Sequence, residues 1–498
     1  MSYIGLDVGT TGCKAVAFDA RGRQLASASR EYATLSPREG WAELDSREVG
    51  DACLAVIREA AAACSGDPVR GIGISSQGEA FTALGPDGEV LANAMVSSDA
   101  RAAEIAERWS SEFGREKLYR ITGHTAHPMF SLFKLLWVRD HQPDVWQTAR
   151  HFYCFEELVQ HRLGLEPAIS WPLAGRTMLF DVRAHDWSPE ILDAVGLDRS
   201  KLARPLASGQ VAGTIPGAVA RELGLPDGVT VVAGGHDQPC GALGAGVTAP
   251  GKAVYGTGTV ECICPAFSNP VFSEDLFRSN LCTYDFTLEG MYTTVAFSLT
   301  GGNLLKWFRD EWAREEVAQA KHEGVSPYEV ILRGMAPKPT KLLVLPYFTP
   351  SGTPYFDARV TGAILGLRLT TTRGEVLRAL LEGVAMEMRL NMEILARSGV
   401  EIRELLAIGG GARSRSWTQL KADVLNTPIT VAAVTEAGCL GVAMLACAAD
   451  TGRAPADLVG EWVRMGETLQ PDPENAATYA ARFEKYMQLY PALRALDV

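Results

Sequence analysis

Residues 4–18, IGLDVGTTGCKAVAF, set two alternating apolar runs on either side of Gly-Thr-Thr-Gly, with an acid closing the first run and a lysine opening the second. An ordinary hairpin needs only Asn-Gly. A strand that returns through two glycines and two threonines can aim backbone amides and two hydroxyls, those of Thr10 and Thr11, at one point with no Cβ in the way, which is a cradle for phosphate oxygens. Asp7 stands just before the turn, poorly placed to meet phosphate and well placed to hold a magnesium ion through water, while Lys14 adds one positive charge. A hairpin whose threonines only satisfy strand propensity is the competing reading. A second candidate is Asp237 in AGGHDQPCGALG, residues 233–244. It follows a buried strand, with Pro239 in the favoured first position of the next helix, and is the candidate catalytic carboxylate. The helix N-terminus is expected to keep it ionised and therefore a weak base, which phosphoryl transfer tolerates because the loose transition state needs the hydroxyl oriented more than deprotonated early.

The elements that must position these residues repeat. A strand hairpin over 4–18, a helix near 47–64, a strand at 69–76 and helices near 99–113, 131–140 and 155–163 predict a mixed α/β unit. TAPGK at 248–252 is the best boundary in the sequence, and past it AVYGTGTVECI, residues 253–263, opens a second unit with another apolar run broken by Gly-Thr-Gly-Thr. Two domains, 1–248 and 249–498, are expected to face one another across a cleft. LLAIGGGARSRSWTQLKADVLNTPI at 405–429 adds a strand, three glycines and a helix. GVTAPGKA at 246–253 imitates a P-loop, yet ends in Ala253 where Ser or Thr would ligate magnesium, loses an amide to Pro250, and has a helix before it and a strand after.

The chain has 498 residues, 47% apolar and 21% charged, enough for more than one core. A formal net charge of -12 argues against nucleic-acid or anionic-membrane binding. Ten cysteines without a Cys-x-x-Cys pair suit reduced thiols of a cytoplasmic protein, and Cys262-Ile-Cys264 suits one face of a strand better than a metal pair. No basic region precedes an apolar stretch at the N-terminus, so no signal peptide is expected, and the apolar run 437–449 is too short for a bilayer and predicts a core helix.

With these residues assembled, the chain resembles the FGGY carbohydrate kinase family over nearly its whole length. MFSLFKLLWVRDH at 129–141 and GAILGLRLTTTRGEVLRALLEG at 362–383 fit the family's two signatures, and the opening turn, GGHDQ, YGTGT and GGGARS fall in the family's order. The resemblance implies an α/β protein of two actin-like, ribonuclease H-like ATPase domains about a central cleft, using ATP and magnesium to phosphorylate a hydroxyl of a ketose, deoxyketose or polyol. By position, Asp7, Thr10, Thr11 and Lys14 would handle magnesium and the terminal phosphates, Gly256, Thr257 and Gly258 would form the second clasp, and Gly302, Lys306, Gly410 and Gly411 would line the nucleotide site. Asp237 would take the hydroxyl proton, with Gln238 beside it. Gln77, Gly78, Glu79 and Asp99 would belong to the sugar pocket, with Glu79, Asp99 and Asp237 as hydroxyl acceptors. Gly78-Glu79 matches neither the Gln-Arg-Glu of glycerol kinases nor the Gln-Met-His of xylulokinases, and Ser97 and Met129 stand where tryptophan and the tyrosine of glycerol kinases are usual, which counts against glycerol. Arg176 could meet a carboxylate such as an aldonate, although an ordinary surface or hinge arginine is the simpler expectation. A homodimer is common among such relatives. An actin- or chaperone-like ATPase switch with a protein partner in place of the sugar is the rival reading.

Overall fold

The structure is a computed structural model that describes residues 1–64 and 66–496, so the last two positions of the expected second domain lie outside the described residues. Six strands form the first sheet in the order Val211–Thr214, Thr230–His236, Val69–Ser76, Ser2–Val8, Gly12–Asp19 and Gln24–Glu31. The second sheet carries the same path as Met465–Leu469, Ile429–Ala432, Glu404–Ile408, Lys252–Thr257, Glu261–Phe267 and Ala296–Ser298, with Tyr284–Asp285 and Tyr292–Thr293 continuing from Glu261–Phe267. In each, the opening hairpin is antiparallel and its first strand pairs in parallel with a strand far along the chain. The two Gly-Thr turns therefore occupy equivalent corners of two equivalent sheets.

Central strands buried on both faces need apolar residues at nearly every position. Ser2–Val8 meets that requirement, with Tyr3, Ile4, Leu6 and Val8 all buried. Helix Ser46–Ala62, capped by Asp45, whose carboxylate accepts from the Arg47 amide, turns Val49, Cys53, Val56, Ile57 and Ala60 inward. Helix Ala437–Thr451 lies so close on the first sheet that a Cβ at Gly5 would stand 1.8 Å from the Cys439 carbonyl oxygen and one at Gly73 would stand 2.1 Å from that of Val442. Glycine is the side chain that this contact requires. The same helix crosses Asp237–Ala245 just as closely, a Cβ at Gly441 falling 2.2 Å from the Cys240 carbonyl oxygen. One core cluster joins Tyr3, Phe18, Val232 and Leu243 to Leu440, Val442 and Trp462. The expected core helix at 437–449 is thus present, and it belongs to the packing between the halves. No described helix is long and apolar enough to cross a membrane.

Candidate active site

The register of the first sheet sets Asp7 directly opposite Lys14 on one side and Ser75 on the other, with Gly235 opposite Ser75 in the next strand. Three distant segments thereby converge on one corner. Ser75 Oγ donates to Asp7 Oδ1 at 2.6 Å. Lys14 Nζ reaches Glu436 at 2.7 Å, a residue at the head of helix Ala437–Thr451 and 422 positions away. Burial raises the Asp7 carboxyl above its ordinary range, the Ser75 hydrogen bond opposes this and the Glu436 charge adds to it, whereas the hydrogen bond to Glu436 leads in raising Lys14. The turn itself is braced from below. Gln77 Nε2 donates to the Gly9 carbonyl at 2.9 Å, its Oε1 accepts from Thr10 at 3.1 Å, and Tyr32 Oη donates to the same Gly9 carbonyl at 2.6 Å. Both polar ends of Gln77 are therefore engaged on the first clasp, where a sugar contact had been expected. Thr11 is exposed at the tip.

The second clasp is assembled mostly from backbone. Thr257 Oγ1 donates to the Ile408 carbonyl at 2.8 Å, and the amides of Gly302 and Asn303 donate to the carbonyls of Gly258 and Thr259 at 2.9 and 3.0 Å. A Cβ at Gly302 would lie 2.5 Å from the Gly258 oxygen, and one at Gly411 would lie 3.1 Å from the Thr257 oxygen. Gly409 sits at φ +92°, and its Cβ would approach that same oxygen to 2.8 Å. Gly256, Thr257, Gly258, Gly302 and Gly411 thus come together, Gly409 joins them, and Gly410 faces open space. Lys306 does not join. It is exposed and its ammonium lies 3.5 Å from Asp310 one turn along its own helix.

Asp237 stands between the clasps. The preceding strand shifts register between Val232 and Gly235. The buried Glu156 anchors this irregularity by accepting from the Gly234 amide at 2.7 Å and from Ser170 Oγ at 2.6 Å. The helix begins at Asp237 itself, with His236 as its N-cap, so Pro239 is two positions later than the sequence suggested. The expected weak base is also corrected. Burial drives the Asp237 carboxyl up to about 7, the charges of Asp7 and Glu79 add to the rise, and Arg176 opposes it. Burial, with two negative neighbours added to it, outweighs a single turn of helix dipole. About a third of the side chain remains open, at 35%. Gln238 links Asp237 to the second clasp by accepting from the Cys262 thiol at 3.1 Å, and Cys262 faces Gly256 across the hairpin.

Behind Asp237 lies a polar wall. Arg176 is buried, which corrects the surface or hinge arginine. Its Nε and Nη2 both reach Glu79 Oε1, the former at 2.7 Å, and its Nη1 lies 3.2 Å from His124 Nε2. Since His124 Nδ1 lies 2.8 Å from the Thr122 carbonyl, it must be the donor there, and Nε2 is left to accept from Arg176. Burial holds His124 down at about 3, so this ring is neutral. Glu79 itself has φ +65° and is pinned through its carbonyl, which accepts from Ser131 Oγ at 2.9 Å and Lys134 Nζ at 3.3 Å. A Cβ on Gly78 would stand 3.0 Å from His236 and 3.3 Å from Arg176, so the glycine makes room for both. Asp99 is enclosed instead of open: it accepts from Arg101 Nε at 2.9 Å and from the Ala42 amide at 2.7 Å, beneath a guanidinium stacked 3.6 Å over Trp41. Its acceptors serve that cluster and do not stand free for a hydroxyl.

Sequence reasoning missed Ser75, Tyr32, His124, Tyr284 and Glu436. Glu436 alone had a local signal, an acid directly before the apolar run. No group of three or more His, Cys, Asp or Glu side chains among the described residues forms a metal site. Asp7, raised by burial and facing further carboxylates, still suits a hard divalent cation that brings water and phosphate as its remaining ligands. All ten cysteines are free, Cys262 and Cys264 among them.

Two family models match the chain, the N-terminal domain of the FGGY carbohydrate kinases over residues 2–244 and their C-terminal domain over residues 251–449. A xylulose kinase of Staphylococcus xylosus is 26% identical over 492 residues, covering 98% of this chain and 100% of the relative. An autoinducer-2 kinase of Salmonella typhimurium is 29% identical over 519 residues, covering 99% and 94%. Among solved structures, a xylulose kinase from Rhodospirillum rubrum superposes with a TM-score of 0.91 at 26% identity over 100% of both chains. A gluconate kinase from Lactobacillus acidophilus gives 0.91 at 24%, covering 99% and 98%, a likeness of fold alone. With both family domains matched in order along the chain, it belongs to the FGGY family of carbohydrate kinases.

Proposed function

We propose that this carbohydrate kinase transfers the terminal phosphate of ATP to a hydroxyl of a neutral ketose, deoxyketose or related polyol, with Asp237 as the base. The single observation carrying this reading is the position of Asp237: a carboxylate raised to about 7, between the Asp7–Lys14 corner and the Thr257 loop, with one oxygen lacking any hydrogen-bond partner. The N-terminal domain, 1–248, would supply most of the sugar site and the C-terminal domain, 249–498, most of the nucleotide site. Thr10, Thr11 and Lys14 would meet the terminal phosphates, and the glycine-lined backbone of 256–258, 302 and 409–411 would take the rest of the nucleotide. A magnesium ion near Asp7 would neutralise phosphate charge. Asp237 then orients the sugar hydroxyl and accepts its proton, while Lys14 and the turn amides offset charge growing on the transferring group. Closing the cleft would exclude water, the competing nucleophile.

The names of the xylulose and autoinducer-2 kinases support a short neutral substrate. An aldonate is disfavoured because Arg176, which would have met its carboxylate, is already paired with Glu79 and His124. An ATPase switch lacks support from the family assignment. We place the enzyme in the cytoplasm as a homodimer. The test is an ADP-release assay over ketoses, deoxyketoses, alditols and aldonates, together with Asp237→Asn. The variant is expected to lose about 10²- to 10⁴-fold in turnover while still binding ATP. Near-normal turnover would remove the base, and ADP release indifferent to every sugar would remove the kinase reading.

A further inference from the structure

A chain of side chains reaches Asp237 from the other half of the molecule. Tyr284 lies within the segment matched by the C-terminal family domain, residues 251–449. Its strand is nevertheless seated on the N-terminal half: the Thr283 amide donates to the Gly123 carbonyl at 2.9 Å, and Tyr119 Oη donates to the Leu281 carbonyl at 3.3 Å. The buried Tyr284 phenol lies 3.0 Å from His236 Nδ1. The other ring nitrogen, Nε2, lies 3.1 Å from Asp237 Oδ1. That oxygen is buried and has no hydrogen-bond partner, so the approach is close but off line, and a small rotation of either group aligns it.

An ionised Asp237 carboxylate can only accept, which favours the ring proton on Nε2 and leaves Nδ1 to accept from the Tyr284 phenol. Burial keeps the phenol protonated and, with the Arg176 charge adding to it, keeps the His236 ring neutral. A neutral ring that accepts the phenol proton at Nδ1 carries its own proton on Nε2, turned toward the Asp237 carboxylate. Without the phenol, the carboxylate alone selects the tautomer, and the other form points a lone pair at the acid.

We propose that His236 is a positioning residue for Asp237 and that Tyr284 fixes its tautomer, so that the aim of the base depends on a group supplied by the C-terminal half. The inference rests on Asp237 being the base. The test compares His236→Leu, His236→Gln, Tyr284→Phe and Asp237→Asn in full-length enzyme by steady-state kinetics with ATP and D-xylulose, or whichever sugar of the screen turns over fastest. His236→Leu and Tyr284→Phe should lower kcat about ten- to a hundredfold, the scale of a misaimed catalytic group. The KM values for sugar and ATP should stay within roughly twofold, the signature of an interaction made in the transition state. His236→Gln, whose amide can set an N–H where Nε2–H stood, should recover most of the loss. A leucine variant with wild-type kcat, a defect confined to KM, or a defect that glutamine fails to relieve would overturn the proposal. Asp237→Asn separates the two claims. If it is inactive while His236→Leu is normal, only this inference falls, and if it is active the base falls first.

Discussion

The two clasps share a topology and differ in what holds them. The first is held by side chains: Gln77 and Tyr32 grip the Gly9 carbonyl, Ser75 holds Asp7, and Glu436 holds Lys14. The second is held by backbone packed against backbone, with Gly302, Gly409 and Gly411 drawn against the carbonyls of Thr257 and Gly258. Charged side chains can respond to charge appearing during a reaction, whereas a rigid wall of amides serves a group that only needs to be bound. A duplicated fold has thus acquired an asymmetric site. On the function proposed above, the reacting phosphate would meet the first clasp and the body of the nucleotide the second.

The largest test of this asymmetry is Lys14→Met. It removes the corner's cation and leaves Glu436 unpaired beside Asp7, and is expected to lower kcat about a hundredfold, with ATP affinity little changed in a binding titration. Next is Gly409→Ala, which forces a Cβ into a left-handed conformation 2.8 Å from a carbonyl oxygen. Backbone strain of about 1–3 kcal/mol should weaken ATP binding roughly tenfold with a smaller change in kcat. If the two variants exchange signatures, the division of labour is wrong. A subtler effect is on pH. With Asp237 as the proposed base, activity would require its ionised form, so kcat/KM for the sugar should rise as pH rises through about 7. Lys14→Met removes a positive neighbour of the acidic corner and should move that midpoint upward, while Gly409→Ala should leave it in place. The smallest effect belongs to Lys306→Ala: with its ammonium exposed near Asp310, steady-state rates should change less than about twofold.

Much of the frame was legible. The expected strand at 69–76 and helix at 131–140 are present as Val69–Ser76 and Ser131–His141, both buried along most of their length, as runs rich in apolar residues must be. Two of the misreadings share a cause, surroundings supplied from far along the chain. Asp237 was assigned an ordinary ionised state because a helix start is visible locally, while the burial that chiefly raises it, and the Asp7 and Glu79 charges that add to it, come from elsewhere in the chain. Arg176 looked like a surface residue because nothing near it in sequence pairs with it, yet Glu79, 97 positions away, does. Asp99 looked free for a hydroxyl, although its neighbour Arg101 stood two residues off.

By itself the sequence determined the two Gly-Thr hairpins, the helices and strands that carry them, the acid at 237 and the glycines that permit close approach, since strand alternation, helical periodicity and steric demand are local properties written residue by residue. Only the tertiary structure decided which partners those groups meet: Glu436 for Lys14, Gln77 for the first turn, Tyr284 and His236 for the acid. Charge state and orientation depend on burial and on neighbours distant along the chain, and those exist only once the sheets have formed and the helix Ala437–Thr451 has packed across them.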